Sequence, residues 1–211
     1  MSGTVVLLRH GESQWNSLGK WTGWTDVDLT DAGVKEAQAM GEQLKDIHFD
    51  HVYTSKLQRA IHTAENVLKT QGQTDLPLSE VAAINERDYG DYTGKNKWEV
   101  KAEVGDEKFN AIRRNFDEPI PNGETLHMVY DRAVPWFKET VVPELEKGEN
   151  VLLVGHGNSM RSLVKYIESI SDDGISKFEM PLGMILEYTV DDNGKMTSRK
   201  ELHVATGASK A

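Results

Sequence analysis

Two histidines occupy matching positions in the sequence, and their surroundings indicate chemistry on phosphorus. His10 lies in the run Leu-Leu-Arg-His-Gly and His156 in the run Leu-Val-Gly-His-Gly, so each follows a short apolar segment and precedes a glycine. A neutral imidazole is a good nucleophile toward phosphorus, and a second imidazole can hold the oxygens of the phosphoryl group. If the two segments are parallel neighbouring strands, both histidines meet at one edge of a sheet and phosphoryl transfer is expected there.

A single histidine at a strand end is more often structural than catalytic, so this interpretation depends on the pair and on Arg9 beside the first histidine. The other histidines lack such a context and are expected to be surface or structural residues: His48, His51, His62, His127 and His203. His48 and His51 are three residues apart, but no third ligand accompanies them, so no metal site is expected. The chain has no cysteine, which excludes disulfides and thiolate chemistry.

Other motif interpretations around His156 fail. The segment Gly155–Met160 lacks the third glycine of a dinucleotide-binding fingerprint. Arg161 stands where a nucleophile elbow would end in glycine. The sequence contains no Walker-type phosphate loop.

Composition excludes further classes of protein. The chain has 211 residues, 38% of them hydrophobic, which fits a globular protein with a core. A net charge of −10 disfavours binding to nucleic acid or to an anionic membrane, although local arginine and lysine residues can still attract a small anion. Neither a secretory signal nor an apolar run of about 18 residues is present, so we expect a cytoplasmic protein without nucleic-acid or membrane partners.

Hydrophobic periodicity predicts alternating strands and helices. The predicted strands are Val5–Leu8, Asp50–Thr54, Pro77–Ile84, Val151–Val154, Ile185–Val190 and Met196–Leu202. The predicted helices are one capped by Thr30 and ending near Asp46, Ser55–Lys69, a polar helix Lys95–Asn115, a long helix after Gly123 that Pro135 kinks or interrupts, and Ser159–Ser169. The last two strands flank Asp191–Gly194, a hairpin signal. We predict a single α/β domain over residues 1–211, a three-layer sandwich with a mainly parallel sheet, helices on both faces and an antiparallel edge.

An ordered set of motifs resembles the histidine phosphatase superfamily and, more closely, its cofactor-dependent phosphoglycerate mutases. The resemblance runs from about Val5 to about Leu202 and rests on these segments: Leu8–Asn16, Thr22–Trp24, Tyr53–Ser55 with Arg59-Ala60, Asn85–Gly90, Lys97, Arg113-Arg114, Pro121–Thr125 and Gly155–Ser159. It implies interconversion of 3-phosphoglycerate and 2-phosphoglycerate, in glycolysis and gluconeogenesis, through a phosphohistidine at His10 and a 2,3-bisphosphoglycerate intermediate. That compound would also prime the enzyme, and no metal is implied.

The resemblance also implies a role for each matching residue. His10 would carry the phosphoryl group, and Glu86 would be the general acid and base. Residues expected to surround the phosphoryl group are Arg9, Arg59 and His156, with Asn16 and the backbone of Gly157 and Asn158 as further donors. Residues expected to hold the carboxylate and distal phosphate of the substrate are Thr22, Gly23, Tyr89, Lys97, Arg113 and Arg114. These residue types suit phosphoryl transfer, which requires positioning and charge stabilisation by arginine.

Alternatives to a mutase remain. A phosphatase would use the same phosphohistidine and let water take the group; Lys97, Arg113 and Arg114 favour the mutase. A non-enzymatic regulator is disfavoured because the whole catalytic set is present. The segment between Arg114 and Gly123 is shorter than in many relatives, which favours a monomer or dimer over a tetramer, and Leu182 replaces the threonine usual in the family.

Overall fold

A computed structural model describes residues 3–191 and 195–207 and contains one six-stranded sheet. The strands are β1 (Gly3–Arg9), β2 (His51–Thr54), β3 (Leu78–Glu80), β4 (Asn150–Gly155), β5 (Met184–Val190) and β6 (Met196–His203). Their order across the sheet is β3-β2-β4-β1-β5-β6. The first four in that order are parallel, and β5 and β6 add the antiparallel edge, which confirms the predicted mixed sheet. Of the predicted hairpin turn Asp191–Gly194, residues 192–194 lie outside the described residues.

Helices cover both faces of the sheet. They are α1 (Gln14–Ser17), α2 (Asp31–Gln43), α3 (Gln58–Gln71), α4 (Lys97–Arg114), α5 (Leu126–Trp136), α6 (Val142–Glu146), α7 (Gly157–Ile167) and α8 (Asp172–Ile175). Because side chains alternate along a strand, Leu7 packs with α5, α6 and α7 on one face, whereas Leu8 packs with α2 and α3 on the other. The three-layer prediction is therefore confirmed. No helix in the described ranges is long and apolar enough to cross a membrane.

The register of the central strands brings the two histidines together. Leu7 pairs with Leu153 and Arg9 with Gly155, so β1 and β4 end side by side. The backbone N–H of His10 donates to Gly155 O at 3.0 Å. The carboxyl edge of the sheet therefore presents both histidines, as the strand-end argument requires.

Two element predictions differ from the structure. The strand predicted over Pro77–Ile84 is only β3, because after Val81 N bonds to Thr54 O the chain turns into a 3₁₀ helix at Ala82–Ile84. The short helices α1 and α8 were not predicted, since four residues are too few to show a helical period. The Thr30 cap is confirmed: its Oγ1 accepts from Gly33 N at 3.1 Å.

Pro135 lies within α5 and is followed by a widened turn. A five-residue π-helix, Phe137–Val141, connects α5 to α6, and Val142 N donates to Phe137 O, five residues earlier. Proline supplies no N–H to the helical ladder, so an irregularity near this position is expected. The predicted interruption is thus present as a π-helix.

Two glycines allow α2 to approach the segment that follows His10. A Cβ placed on Gly33 would lie 2.1 Å from Glu12 O, and one placed on Gly11 would lie 2.4 Å from Gly33 O. Both contacts are with backbone atoms, which cannot move aside as a flexible side chain would. The close packing of α2 on this segment therefore depends on the missing side chains.

We expect Gly33→Ala to destabilise the protein by about 1–3 kcal/mol, because the added methyl group overpacks a tight backbone contact. The measurement is the free energy of unfolding in urea. Gln38→Ala, on the exposed side of the same helix, is the matched control and should leave stability unchanged. Equal stability of the Gly33→Ala variant and the parent protein would contradict the proposed contact.

Candidate active site

A cavity of about 1050 Å³ opens at the carboxyl edge of the sheet. Nine of the predicted site residues line it: Arg9, Asn16, Glu86, Tyr89, Lys97, Arg113, Arg114, Gly157 and Asn158. His10 and His156 are adjacent in sequence to the lining residues Arg9 and Gly157 and are themselves buried. Most of the predicted site residues therefore converge on one cavity and on the two histidines next to it.

His10 is held as a neutral imidazole. Its Nδ1 lies 2.7 Å from Gly11 O, so Nδ1–H donates to that carbonyl and the lone pair remains on Nε2. Burial, together with the charges of Arg59 and Arg9, lowers the pKa of His10 well below its usual value. The imidazole is therefore uncharged near neutral pH, as nucleophilic attack requires.

His156 lies against His10 as a second neutral imidazole. The two ring centroids are 5.0 Å apart, and His156 Nε2 lies 2.7 Å from Ser55 Oγ. Burial and the charge of Arg59 lower the pKa of His156 well below its usual value. His156 can therefore bind an anion through a hydrogen bond but not through a positive charge.

Two arginines, Arg59 buried and Arg9 partly buried, supply the positive charge around the histidines. Arg59 is 1% exposed and donates to the carbonyls of Gly23 and Thr25 at 2.8 and 3.0 Å. Burial lowers its pKa to about 10, so it stays charged at neutral pH. Arg9 Nη1 donates to Met180 O at 2.8 Å, and its buried Nε has no partner in the described part of the chain. Both groups suit an anion bound at His10.

The carboxylate of Glu86 is fixed by three donors on one oxygen. Oε1 accepts from Arg87 N at 2.7 Å, from Asn158 N at 3.2 Å and from Asn158 Nδ2 at 3.1 Å. The backbone carbonyl of Glu86 accepts from Trp24 Nε1 and Arg132 Nη2. Because Oε1 is saturated, Oε2 is the oxygen suited to exchange a proton with a ligand.

Helix α4 contributes cations from both of its ends. Lys97 lies in the first turn and Arg113 in the last, and a straight helix would separate these positions by about 24 Å. Gly105, with φ of 83°, breaks the helix between them, so both ends line the same cavity. The polar helix predicted over Lys95–Asn115 thus consists of two helical pieces, which together contribute Lys97, Arg113 and Arg114 to the cavity wall. Arg114 also forms an ion pair with Glu179, another residue of the cavity wall.

Lys97 is expected to make anion binding sensitive to pH. Burial, with the charges of Arg9 and Arg113, lowers its pKa to about 8. Its protonated fraction therefore falls from about 0.9 at pH 7 to about 0.1 at pH 9. Binding of sulfate, which keeps its charge over this range, should weaken as the pH rises through 8, and calorimetric titration would measure this.

Lys97→Arg is the matched variant for that experiment, because arginine keeps its charge throughout the range. Its sulfate affinity should be nearly constant from pH 7 to pH 9. An equally steep loss of affinity in this variant would assign the titration to a group other than Lys97.

Five predicted residues are not part of the cavity wall: His10, His156, Arg59, Thr22 and Gly23. Thr22 and Gly23 do not line it; Gly23 instead provides the carbonyl that Arg59 contacts, and its φ of 53° suits glycine. A direct role in holding substrate stays a prediction for both. No group of three or more His, Cys, Asp or Glu side chains within residues 3–191 and 195–207 could hold a metal ion.

The wall also contains residues that the sequence did not predict for the site, among them Glu12, Trp21 and Arg161. A signal was available for Arg161, which lies three residues after Asn158 and so on the same face of α7. Trp21 lies beneath Lys97, whose Nζ is 5.9 Å from the ring centroid. Burial of a tryptophan there could not be read from a polar loop sequence.

Comparisons with known proteins agree with this arrangement. Residues 5–201 match the model of the histidine phosphatase superfamily, branch 1. The chain is 41% identical over 204 residues to the 2,3-bisphosphoglycerate-dependent phosphoglycerate mutase of Parvibaculum lavamentivorans, which spans 96% of this chain and 97% of that protein.

Two solved structures extend the comparison. The phosphoglycerate mutase from Bacillus anthracis str. Sterne aligns with a TM-score of 0.76 at 25% identity, over 93% of this chain and 91% of that one. The alpha-ribazole phosphatase from Shigella flexneri aligns with a TM-score of 0.79 at 26% identity, over 98% of this chain and 100% of that one. A mutase and a phosphatase are therefore both among the proteins that this chain resembles.

Proposed function

The chain belongs to the histidine phosphatase superfamily, and from this premise we propose that it is a 2,3-bisphosphoglycerate-dependent phosphoglycerate mutase. The observation that carries the proposal is that the cavity holds more cations than a phosphoryl group on His10 needs. Arg9 and Arg59 lie beside His10, and helix α4 adds Lys97 and Arg113 to the cavity wall. A phosphatase needs the first pair of cations only; a substrate with a carboxylate or a second phosphate uses both pairs.

The residues present fit 2,3-bisphosphoglycerate. The buried and unpaired Nε of Arg9 and the cations of α4 are donors suited to a molecule with two phosphates and a carboxylate. When bound, this compound supplies the phosphoryl group that primes the enzyme. Residues that would hold it are Arg9, Arg59, Lys97, Arg113 and Arg114, with Asn16, Tyr89 and the start of α7.

In the proposed mechanism, His10 and Glu86 divide the work. Nε2 of His10 attacks phosphorus, a P–N bond forms as the P–O bond breaks, and Glu86 gives a proton to the departing oxygen. In the reverse direction Glu86 takes the proton of a substrate hydroxyl as that oxygen attacks the phosphoryl group on His10. Arg9, Arg59 and His156 hold the phosphoryl oxygens while charge spreads over them.

Further properties belong to the same proposal. We infer action in glycolysis and gluconeogenesis, in the cytoplasm, on small phosphoglycerates and without a metal, a nucleic-acid partner or a membrane. The short segment between Arg114 and Gly123 favours a monomer or dimer.

The test is conversion of 3-phosphoglycerate to 2-phosphoglycerate with and without added 2,3-bisphosphoglycerate, in EDTA. We expect the rate of conversion to depend on 2,3-bisphosphoglycerate and to be unaffected by EDTA. Release of inorganic phosphate from phosphomonoesters, without any conversion, would reject the mutase and favour the second candidate. That candidate is a phosphatase, which the likeness to the alpha-ribazole phosphatase supports.

A further inference from the structure

Arg161, on α7, is a buried arginine with every N–H group engaged. Its side chain reaches the cavity wall, although the residue is only 5% exposed. Nε donates to Phe178 O at 3.0 Å, and Nη2 donates to the carbonyls of Arg114 and Ile175 at 2.8 and 2.7 Å. Nη1 donates to Asn158 Oδ1 at 3.1 Å and to Arg113 O at 3.4 Å. The five donors of the guanidinium are thus all used.

None of these acceptors is a carboxylate. A buried cation without a hydrogen-bonded anion is costly, and burial lowers the pKa of Arg161 to about 10, so it remains charged at neutral pH. The position of the guanidinium is therefore set by its five hydrogen bonds to uncharged acceptors, and what these acceptors belong to shows what Arg161 holds in place.

One hydrogen bond connects Arg161 to the acid–base group. Because Asn158 Oδ1 accepts from Arg161, the amide nitrogen Nδ2 faces the other way, toward Glu86 Oε1 at 3.1 Å and the Tyr89 hydroxyl at 2.9 Å. If the amide turned over, its oxygen would face the Glu86 carboxylate and repel it. Arg161 therefore fixes the orientation in which Asn158 holds Glu86.

Two other bonds connect Arg161 to the end of α4. Arg113 and Arg114 form the last turn of α4, where backbone carbonyls have no partner within the helix. Arg161 donates to the carbonyls of both residues. The same guanidinium thus anchors the end of α4 that carries two of the proposed substrate-binding side chains.

We propose that Arg161 is a positioning residue that fixes the position of the Glu86 carboxylate relative to Arg113 and Arg114 at the end of α4. This inference deepens the proposed function and rests on it. Arg161 is required when the phosphoryl group moves to or from an alcohol oxygen, because that step needs Glu86 and a held substrate. It is dispensable when His10 takes a phosphoryl group from a donor whose leaving group departs without a proton.

The experiment compares two reactions in the same variants. The first is conversion of 3-phosphoglycerate in the presence of 2,3-bisphosphoglycerate. The second is the single-turnover burst of dinitrophenolate from 2,4-dinitrophenyl phosphate, which reports attack by His10 alone. We expect Arg161→Met and Arg161→Lys each to lower the first rate about 10²-fold, the usual effect of a small misplacement, and to leave the burst nearly unchanged.

Lys165→Met is the matched control, since Lys165 is a buried cation one turn further along α7 that donates to Ile170 O and pairs with Asp172. It should alter thermal stability without altering the ratio of the two rates. Equal losses in both reactions for both Arg161 variants, or no loss in either, would overturn the proposal. Arg161→Lys keeps the charge at this position, so the test survives if Arg161→Met fails to fold.

A double-mutant cycle separates positioning from direct contact with substrate. If Arg161 acts through Asn158, the losses caused by Arg161→Met and Asn158→Ala should be far from additive. Additive losses would refute action through Asn158.

Failure of the proposed function is distinguishable, because the parent protein would then convert no 3-phosphoglycerate. In that case the rate of hydrolysis of glycerol 2-phosphate, which is also an alcohol ester, would replace the mutase rate. It would be compared with the dinitrophenolate burst in the same Arg161 variants.

Discussion

Replacement of His10 with asparagine is expected to abolish phosphoryl transfer, lowering the conversion of 3-phosphoglycerate by at least about 10⁴-fold, as loss of a nucleophile does. The reason is chemical, because an amide cannot accept the phosphoryl group that Nε2 carries. Burial and the neighbouring arginines keep His10 uncharged, so asparagine replaces one neutral side chain with another. The loss of activity should therefore not reflect unfolding. Incubation with labelled 2,3-bisphosphoglycerate should give acid-labile label on the parent protein and none on the variant.

His62→Asn is the control for this substitution. His62 pairs with Asp28 at 2.6 Å and is partly exposed, away from the cavity wall. The variant should retain both activity and label. Acid-labile label that persists in His10→Asn, at the level of the parent protein, would show that another residue carries the phosphoryl group.

Replacement of Glu86 with glutamine is expected to separate two steps that His10→Asn removes together. Glutamine can still accept at Oε1 from Arg87 N and Asn158 Nδ2 but can no longer exchange a proton. Mutase turnover should fall about 10²- to 10⁴-fold, the usual contribution of a general acid or base. The dinitrophenolate burst should persist, because that leaving group departs without a proton.

Glu65→Gln provides the control for charge, since Glu65 is exposed on α3. Its mutase rate and its burst should both match the parent protein. A Glu86→Gln variant that loses the burst as completely as the turnover would mean that Glu86 organises the phosphoryl site instead of moving a proton.

Much of the sheet and the meeting of the two histidines could be predicted from local pattern. The apolar runs of β1 and β4 mark buried strands, and the strand-end rule places His10 and His156 at one edge without knowledge of the packing. The resemblance then supplied Glu86 and the α4 cations. Of the residues that the resemblance supplied, Glu86, Lys97, Arg113 and Arg114 line the cavity.

The features that escaped prediction depend on contacts between distant segments. Gly105 was visible in the sequence, yet only the packing of both halves of α4 on one cavity shows why the helix must break there. The role of Arg161 depends on carbonyls of α4 and of residues 175–178, which the sequence does not bring near α7. The early end of β3 likewise follows from the path that carries Glu86 over the sheet edge.

The π-helix after Pro135 changes the rotation of α6 relative to α5 about their common helical axis. Ala133 and Leu145 belong to the same core, yet in an uninterrupted α-helix their 12-residue separation would leave them about 120° apart around the axis. A π-turn absorbs one extra residue and brings the two within about 20°. Arg132, on α5 before the π-helix, can therefore bind the backbone carbonyl of Glu86 while Leu145, on α6 after it, stays packed near Gly3 at the start of β1. The extra residue of the π-turn thus allows the contact of Arg132 with Glu86 and the contact of Leu145 with Gly3 to form together. Deletion of one residue here would break one of these two contacts.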